Sequence, residues 1–245
     1  NSFLIIDEVQ TIPKFILDNF LRLLIILANK LNCIILFVSA TIPSAFREIS
    51  AIAYINTPEN IAKDYLKATA KRVKYGQLGP NEIFSEISSF TDGPNLIMAN
   101  TRKKAMRFFK SLPSDKHDLL YLSSGVSKID RKERIEQIKA PKAGIVNTVV
   151  STQVIEAGID ISFKRMYREL APLDNIVQAM GRLNRECESA SPPVLNVFEY
   201  DGLSVPYIDL EINETREILK KINNSIDLYA LLPSYYSTLQ QKNKT

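Results

Sequence analysis

Short apolar runs that stop on polar residues recur along this chain, with a helix-length stretch between one run and the next. Residues 3–6 are strand-like and end on Asp7-Glu8, residues 15–31 have the length and composition of a buried helix, and residues 33–38 are β-rich and end on Ser39-Ala40-Thr41. Strand, helix, strand is a βαβ unit. Runs this apolar suit strands covered on both faces, as in a parallel sheet, where ligands gather at the carboxyl ends. A short helix is predicted from residue 43 to about 53, and residues 56–79 mix Pro, Asn, Lys and Gly without periodicity and read as a connection. A second alternation follows: helix 81–90, turn 92–94, strand 96–98, helix 102–111, strand 119–122, helix 128–139, strand 144–150, strand 166–168, helix 174–183 and strand 194–200. One further helix, 209–222, is expected in the tail. The pattern implies two similar α/β lobes, the first short of strands.

Bulk composition fits that reading. With 245 residues, 45% of them hydrophobic and 24% charged, the chain can build one large or two modest domains. Its most apolar stretch, residues 15–31, is interrupted by Asp18, Asn19, Arg22, Asn29 and Lys30 and falls short of the ~18 unbroken apolar residues of a membrane span. Cys33 and Cys187 are too few for a disulfide framework or a four-ligand zinc site, so a reducing cytoplasm is the expected setting. The net charge is +4, and residues 96–200 hold 17 Lys and Arg against 12 Asp and Glu, a local basic excess compatible with a phosphate-lined partner. The chain opens on Asn1 and runs directly into a strand, which suggests a piece of a longer protein.

Four clusters carry chemistry. Asp7-Glu8, at the end of an apolar strand, suits one carboxylate holding Mg²⁺ on nucleotide phosphates and a neighbour orienting the attacking water; such a pair can also simply cap a strand. Asn100-Thr101-Arg102 lies where a strand meets a helix, so its hydroxyl, amide and N–H groups could hold a DNA phosphate; an ordinary Thr helix cap is the alternative, and the two do not exclude each other. Ser151-Thr152-Gln153 has the same strand-to-helix geometry. Gln178 and Arg182 share a face of the predicted helix, with Arg185 adjacent, and the planar forks of the two arginines suit phosphate oxygens.

Val150-Ser-Thr-Gln-Val-Ile-Glu-Ala-Gly-Ile-Asp160 and Gln178-Ala-Met-Gly-Arg-Leu-Asn-Arg185 resemble the last two motifs of a superfamily-2 helicase. Together with Asp7-Glu-Val-Gln10 and Ser39-Ala-Thr-Ile-Pro43, and with the phrase Tyr167-Arg-Glu-Leu-Ala-Pro-Leu-Asp-Asn-Ile-Val leading into the arginines, they resemble the helicase portion of the type I CRISPR-associated helicase-nuclease. The resemblance covers roughly residues 1–200. DEAD-box RNA helicases usually carry His where this chain has Gln178.

The resemblance implies an α/β fold of two RecA-like parallel-sheet lobes, the first incomplete and lacking its phosphate-loop strand. Residues 1–56 would end the first lobe, 57–95 would be a connection and leading helix, 96–200 the second lobe and 201–245 a helical tail. It implies that Asp7 serves Mg²⁺, that Glu8 is the catalytic carboxylate and that Gln10 stands in for a histidine common there. Ser39 and Thr41 would couple hydrolysis to motion. Thr101, Arg102, Thr152 and Gln153 would meet DNA; Gly158 would allow close backbone approach, and Asp160 would accept from a nucleotide ribose. Gln178, Arg182 and Arg185 would face ATP, the arginines as fingers that contribute several powers of ten in rate. The implied partners are single-stranded DNA, a nuclease domain or subunit and a CRISPR RNA-guided surveillance complex. A histidine common to the family's block at residues 124–134 is replaced by Ser123. His117 is the only histidine, read as a solvated loop residue, so a histidine–aspartate nuclease cannot be encoded here.

No G-x-x-x-x-G-K-[ST] loop occurs in the chain. The chain alone is therefore expected not to hydrolyse ATP, and the helix of residues 15–31 is expected to expose part of its apolar face or to self-associate. Two rival readings stay open: a non-catalytic remnant that binds DNA or partner subunits, and another superfamily-2 DNA or RNA helicase.

Overall fold

The apolar run before Asp7 forms β1 (Ser2–Asp7), the helix-length stretch forms α1 (Lys14–Leu31), and the next run forms β2 (Cys33–Val38). β1 and β2 pair in parallel, with Ser2 opposite Cys33 and Asp7 opposite Val38. On α1, Leu17 and Leu21 stand one turn apart and pack with Val9, Ile6, Ile12 and Phe37. Among the described residues of this unit, Leu24 is buried as well. Phe3 and Ile5 on β1 are 74% and 65% exposed, and Ile34, Leu23, Ile26 and Leu31 are exposed as well. Part of the apolar face of α1 is thus uncovered, as expected.

The structure is a computed structural model, and it describes residues 2–7, 9, 12, 14–38, 72–90, 92–112, 117–140, 146–156, 159–185, 193–200, 206–222 and 228–242. The chain divides into two compact units, Asn1–Glu59 and Asn60–Thr245. Among the described residues no helix is long and apolar enough to cross a membrane.

The second unit is built on six parallel strands. In chain order they are β3 (Arg72–Gln77), β4 (Asn95–Met98), β5 (His117–Leu122), β6 (Val146–Ser151), β7 (Arg165–Glu169) and β8 (Val194–Glu199), and across the sheet they run β3-β8-β7-β4-β6-β5. The helices are α2 (Pro80–Ser88), α3 (Arg102–Ser111), α4 (Lys128–Lys139), α5 (Leu173–Met180), α6 (Asp209–Lys221) and α7 (Leu228–Lys242). The two-residue period of a strand sends alternate side chains into two separate cores. Leu96, Met98, Val149, Met166 and Val197 join one core with residues of α5, α6 and α7, while Ile97, Val150, Tyr167 and Phe198 join the other with α2 and α3. Phe108 of α3 anchors the second core edge-on to Phe198 at 5.4 Å between ring centroids and is fully buried. Burying a side chain of this size contributes roughly 1.5–3 kcal/mol.

Three elements differ from the sequence reading. The stretch read as a connection contains β3, an edge strand of which Val73 is buried while Arg72 and Lys74 are exposed. The tail holds two helices, since Leu228, Leu232, Tyr235 and Leu239 put a second buried face on the core. His117 opens β5 instead of lying in a loop.

Candidate functional site

Strand direction divides the described site residues between opposite ends of the second sheet. Thr101 follows the carboxyl end of β4, and Thr152 follows that of β6, its N–H donating to the Leu122 carbonyl at 3.2 Å. Thr101 caps α3: its hydroxyl accepts from the Lys104 N–H at 3.2 Å, and Arg102 and Lys103 are exposed in the first turn at that end. Gln153 lies in a short 3₁₀ turn, and its amide donates to the Tyr207 hydroxyl at 2.5 Å.

Asp160, Arg182 and Arg185 lie at the other end. The Lys164 N–H donates to the carbonyl of Pro94, just ahead of β4, so the chain entering β7 runs along the amino ends of the strands. There Phe163 and Leu183 form an isolated parallel bridge: the Phe163 N–H donates to the Arg182 carbonyl at 2.9 Å, and the Asn184 N–H donates to the Phe163 carbonyl at 2.7 Å. The bridge explains a departure from expectation. The helix predicted over 174–183 stops at Met180, Gly181 caps it, and Arg182 and Arg185 stand in the turn beyond it. Asn184 adopts the left-handed region, φ 48°, which Asn tolerates better than most residues. A Cβ on Gly181 would come within 3.2 Å of the Gln178 carbonyl, so the turn that aims Arg182 has little room for a larger residue.

The bridge also joins two residues that lie 25 apart in sequence. Arg185 Nε donates to Asp160 Oδ1 at 2.9 Å, while the Arg185 N–H donates to the Ser162 hydroxyl at 2.9 Å. The side chains are 43% and 75% exposed, and an exposed pair of this kind contributes at most about 1 kcal/mol, so a phosphate could readily displace it. Arg182 points its Nη2 at the Glu156 carbonyl. A cavity of about 530 Å³ opens at the same end, lined by Arg72, Lys74, Phe90, Ser162, Tyr167 and Asn184 among others. On its rim Asp92 pairs with Arg165 and Lys164, whose hydrogen bonds hold its carboxyl below the usual range.

Sequence reasoning passed over a buried polar network at the carboxyl end. Lys104 and Glu169 form an ion pair with side chains 1% and 2% exposed. Glu169 Oε2 accepts from the Asn100 N–H at 2.7 Å, the Asn100 amide donates to the Leu170 carbonyl, and Arg168 Nη1 donates to Asn100 Oδ1 at 2.6 Å. Consecutive residues of a strand face opposite ways, so Arg168 and Glu169 serve the two faces of the sheet, and Asn100 joins them. Burial pushes the Glu156 carboxyl up to about 7, with Arg168 opposing and Asp174 reinforcing that shift. The signal available in sequence was an Arg-Glu pair at the end of a short strand, directly ahead of the apolar Leu170-Ala171.

Asp7 is exposed at the carboxyl end of β1. Glu8, Gln10, Ser39, Thr41 and Gly158 lie outside the described residues. Gln178 is half-buried in the last turn of α5, its carbonyl accepting from the Gly181 N–H at 3.1 Å. Arg102 is exposed at the start of α3, where its carbonyl accepts from the Tyr121 hydroxyl at 3.4 Å.

Residues 91–188 match the family described as CRISPR-associated nuclease/helicase Cas3, C-terminal. A curated relative, the CRISPR-associated nuclease/helicase Cas3 of Methanothermobacter thermautotrophicus, is 27% identical over 250 residues, covering 93% of this chain and 30% of the relative. The chain spans a third or less of the length of the curated Cas3 relatives it matches. Among solved structures, T. fusca Cas3 with AMPPNP aligns at a TM-score of 0.67 and 16% identity, over 95% of this chain and 35% of that one. A chain of a CRISPR RNA-guided surveillance complex, pre-nicking, aligns equally well, at 0.67 and 16%, over 95% of this chain and 37% of that one. At this identity the likeness shows the fold, which is α/β with RecA-like helicase neighbours, a six-stranded parallel sheet and a second parallel sheet.

Proposed function

We propose that this chain, a C-terminal-like portion of a CRISPR-associated superfamily-2 helicase, supplies part of an ATP-driven motor that moves on single-stranded DNA and presents it to a nuclease during CRISPR interference. The observation that carries the reading is the Phe163–Leu183 bridge, which holds Asp160, Arg182 and Arg185 together at one end of the sheet. Asp160 takes the nucleotide ribose, and Arg182 and Arg185 take its phosphates, with Gly158 and Gln178 alongside. Thr101, Arg102, Thr152 and Gln153, at the opposite end, take phosphates of the DNA strand. Residues 1–56 are read as the end of a first lobe and residues 96–200 as the body of the second.

In the first unit, Asp7 would hold Mg²⁺ on the nucleotide, Glu8 would be the catalytic carboxylate with Gln10 beside it, and Ser39 and Thr41 would couple hydrolysis to movement. Among the described residues no three metal-ligating side chains gather. Mg²⁺ is usually held by one or two carboxylates together with substrate phosphates. A solved Cas3 with AMPPNP supports nucleotide binding, and one in a surveillance complex supports association with such a complex.

The test is ATP hydrolysis by the longer protein that carries this chain, with single-stranded DNA and then RNA of matched sequence. Stimulation by DNA is expected, and Arg185→Ala should cut turnover strongly while sparing DNA affinity. Preference for RNA would instead favour another superfamily-2 helicase. The chain by itself is expected to be inert, because it lacks a phosphate loop.

A further inference from the structure

Arg182 does not end its contacts at the amino end of the sheet. Its guanidinium holds the Glu156 carbonyl, and Glu156 is the last described residue of the segment that follows Thr152 and Gln153. The Glu156 side chain turns inward, and its Oε1 is buried with no hydrogen-bond partner. Arg168, with no exposed surface, acts on that carboxyl through its charge, yet two of its nitrogens, Nε and Nη2, are buried without partners. Buried polar atoms are nearly always satisfied, so an open carboxylate oxygen and two open guanidinium nitrogens on interacting groups mark a contact left unmade. The remaining nitrogen of Arg168 is committed: Nη1 holds Asn100 Oδ1 and the Glu169 carbonyl. Glu169 in turn holds the Asn100 N–H and Lys104, which fix the first turn of α3 beside Thr101.

The contacts on either side of the unmade one lie at the two ends of the lobe, Arg182 with Glu156 on one side and Arg168 with Asn100, Glu169 and Lys104 on the other. We propose that Glu156 and Arg168 are positioning residues that tie the nucleotide end of the lobe to the DNA end. While Arg182 holds the Glu156 carbonyl, the carboxylate stays off Arg168; when Arg182 leaves for a nucleotide phosphate, Glu156 closes onto the open nitrogens of Arg168. Asn100 and the start of α3 then shift with Arg168. No bond is made or broken in this step beyond hydrogen bonds. The two arrangements supply the bistable element that coupling between distant sites requires.

The inference rests on the proposed motor, and its test separates the two. In the longer protein, Glu156→Gln keeps the shape and the main-chain carbonyl but removes the charge. Hydrolysis is measured against increasing oligo-dT, with oligo-dT affinity followed by fluorescence anisotropy. The variant is expected to lose at least about fivefold of the stimulation by DNA while its DNA affinity stays within about twofold. Stimulation equal to wild type would overturn the link alone, whereas a wild-type protein that ignores DNA would overturn the motor reading and the link with it. Arg182→Ala approaches from the other end and needs no nucleotide. In this chain alone it should speed amide exchange at Asn100 and Lys104, and unchanged exchange at both would also overturn the link.

Discussion

The two units use the same parallel βαβ grammar with opposite results. In the second, six strands carry helices on both faces, and Leu96, Ile97 and Met98 are wholly buried in succession. In the first, two strands and one described helix leave Phe3, Ile5 and Ile34 facing out. A parallel strand is written to be covered twice, and its apolar content is a benefit only when both covers are present. Hydrophobic sequence thus specifies a need for burial, and the number of neighbouring elements decides whether the need is met.

The sharpest way to break this contrast is to damage the better-built unit where it is most dependent on its interior. Lys104→Met strands the Glu169 carboxylate in the core and is expected to cost about 3–5 kcal/mol in chemical denaturation. A loss below 1 kcal/mol would mean that the pair is not buried in solution. Next in size is a pH effect. The Glu156 carboxyl is raised from 4.5 to about 7, so between those values the folded unit holds a proton that the unfolded chain has lost. Stability should therefore fall by roughly 3 kcal/mol as pH rises through that window and level off above it. The groups acting on Glu156 are Arg168 from β7 and Asp174 from α5, with Arg182 on its main chain. Glu156→Gln should flatten the curve, and an unchanged pH profile would assign it to another group.

Asp160→Asn, which removes the exposed pair with Arg185, should change stability by less than about 1 kcal/mol. Smallest of all, Ile5→Lys or Leu23→Lys in the first unit should move stability by no more than about 0.5 kcal/mol. Either should reduce self-association in sedimentation, and a wild-type chain that sediments as a monomer without binding an apolar dye would count against the exposed face.

The same contrast explains what the sequence made legible. β4, β6 and β8 announced themselves because central strands covered on both faces keep consecutive apolar residues, Leu96-Ile97-Met98, Val149-Val150 and Val197-Phe198. β3 did not, because an edge strand reading Arg-Val-Lys-Tyr-Gly-Gln buries mainly Val73 and looks like a connection. α7 was hidden by Pro233 and by its polar intervening residues, although Leu228, Leu232, Tyr235 and Leu239 follow helical spacing. The arginines were visible as residue types, but their departure from the helix depends on a bridge to Phe163, which no local pattern encodes. Likewise, the meeting of Asp160 with Arg185 is a tertiary event. The Lys104–Glu169–Asn100–Arg168 network was least legible, since each member taken singly reads as surface.

The tail has a practical bearing. Leu232, Tyr235 and Leu239 of α7 belong to the same core as α5, and the Tyr236 hydroxyl donates to Asp174 Oδ2 at 3.2 Å, near the amino end of that helix. Shortening the protein at residue 200, where the recognisable blocks end, would strip the back of the helix that leads into Arg182. Anyone trimming or fusing this lobe should therefore keep the chain through Lys242, and treat the last two helices as the mounting plate of the arginines rather than as an appendage.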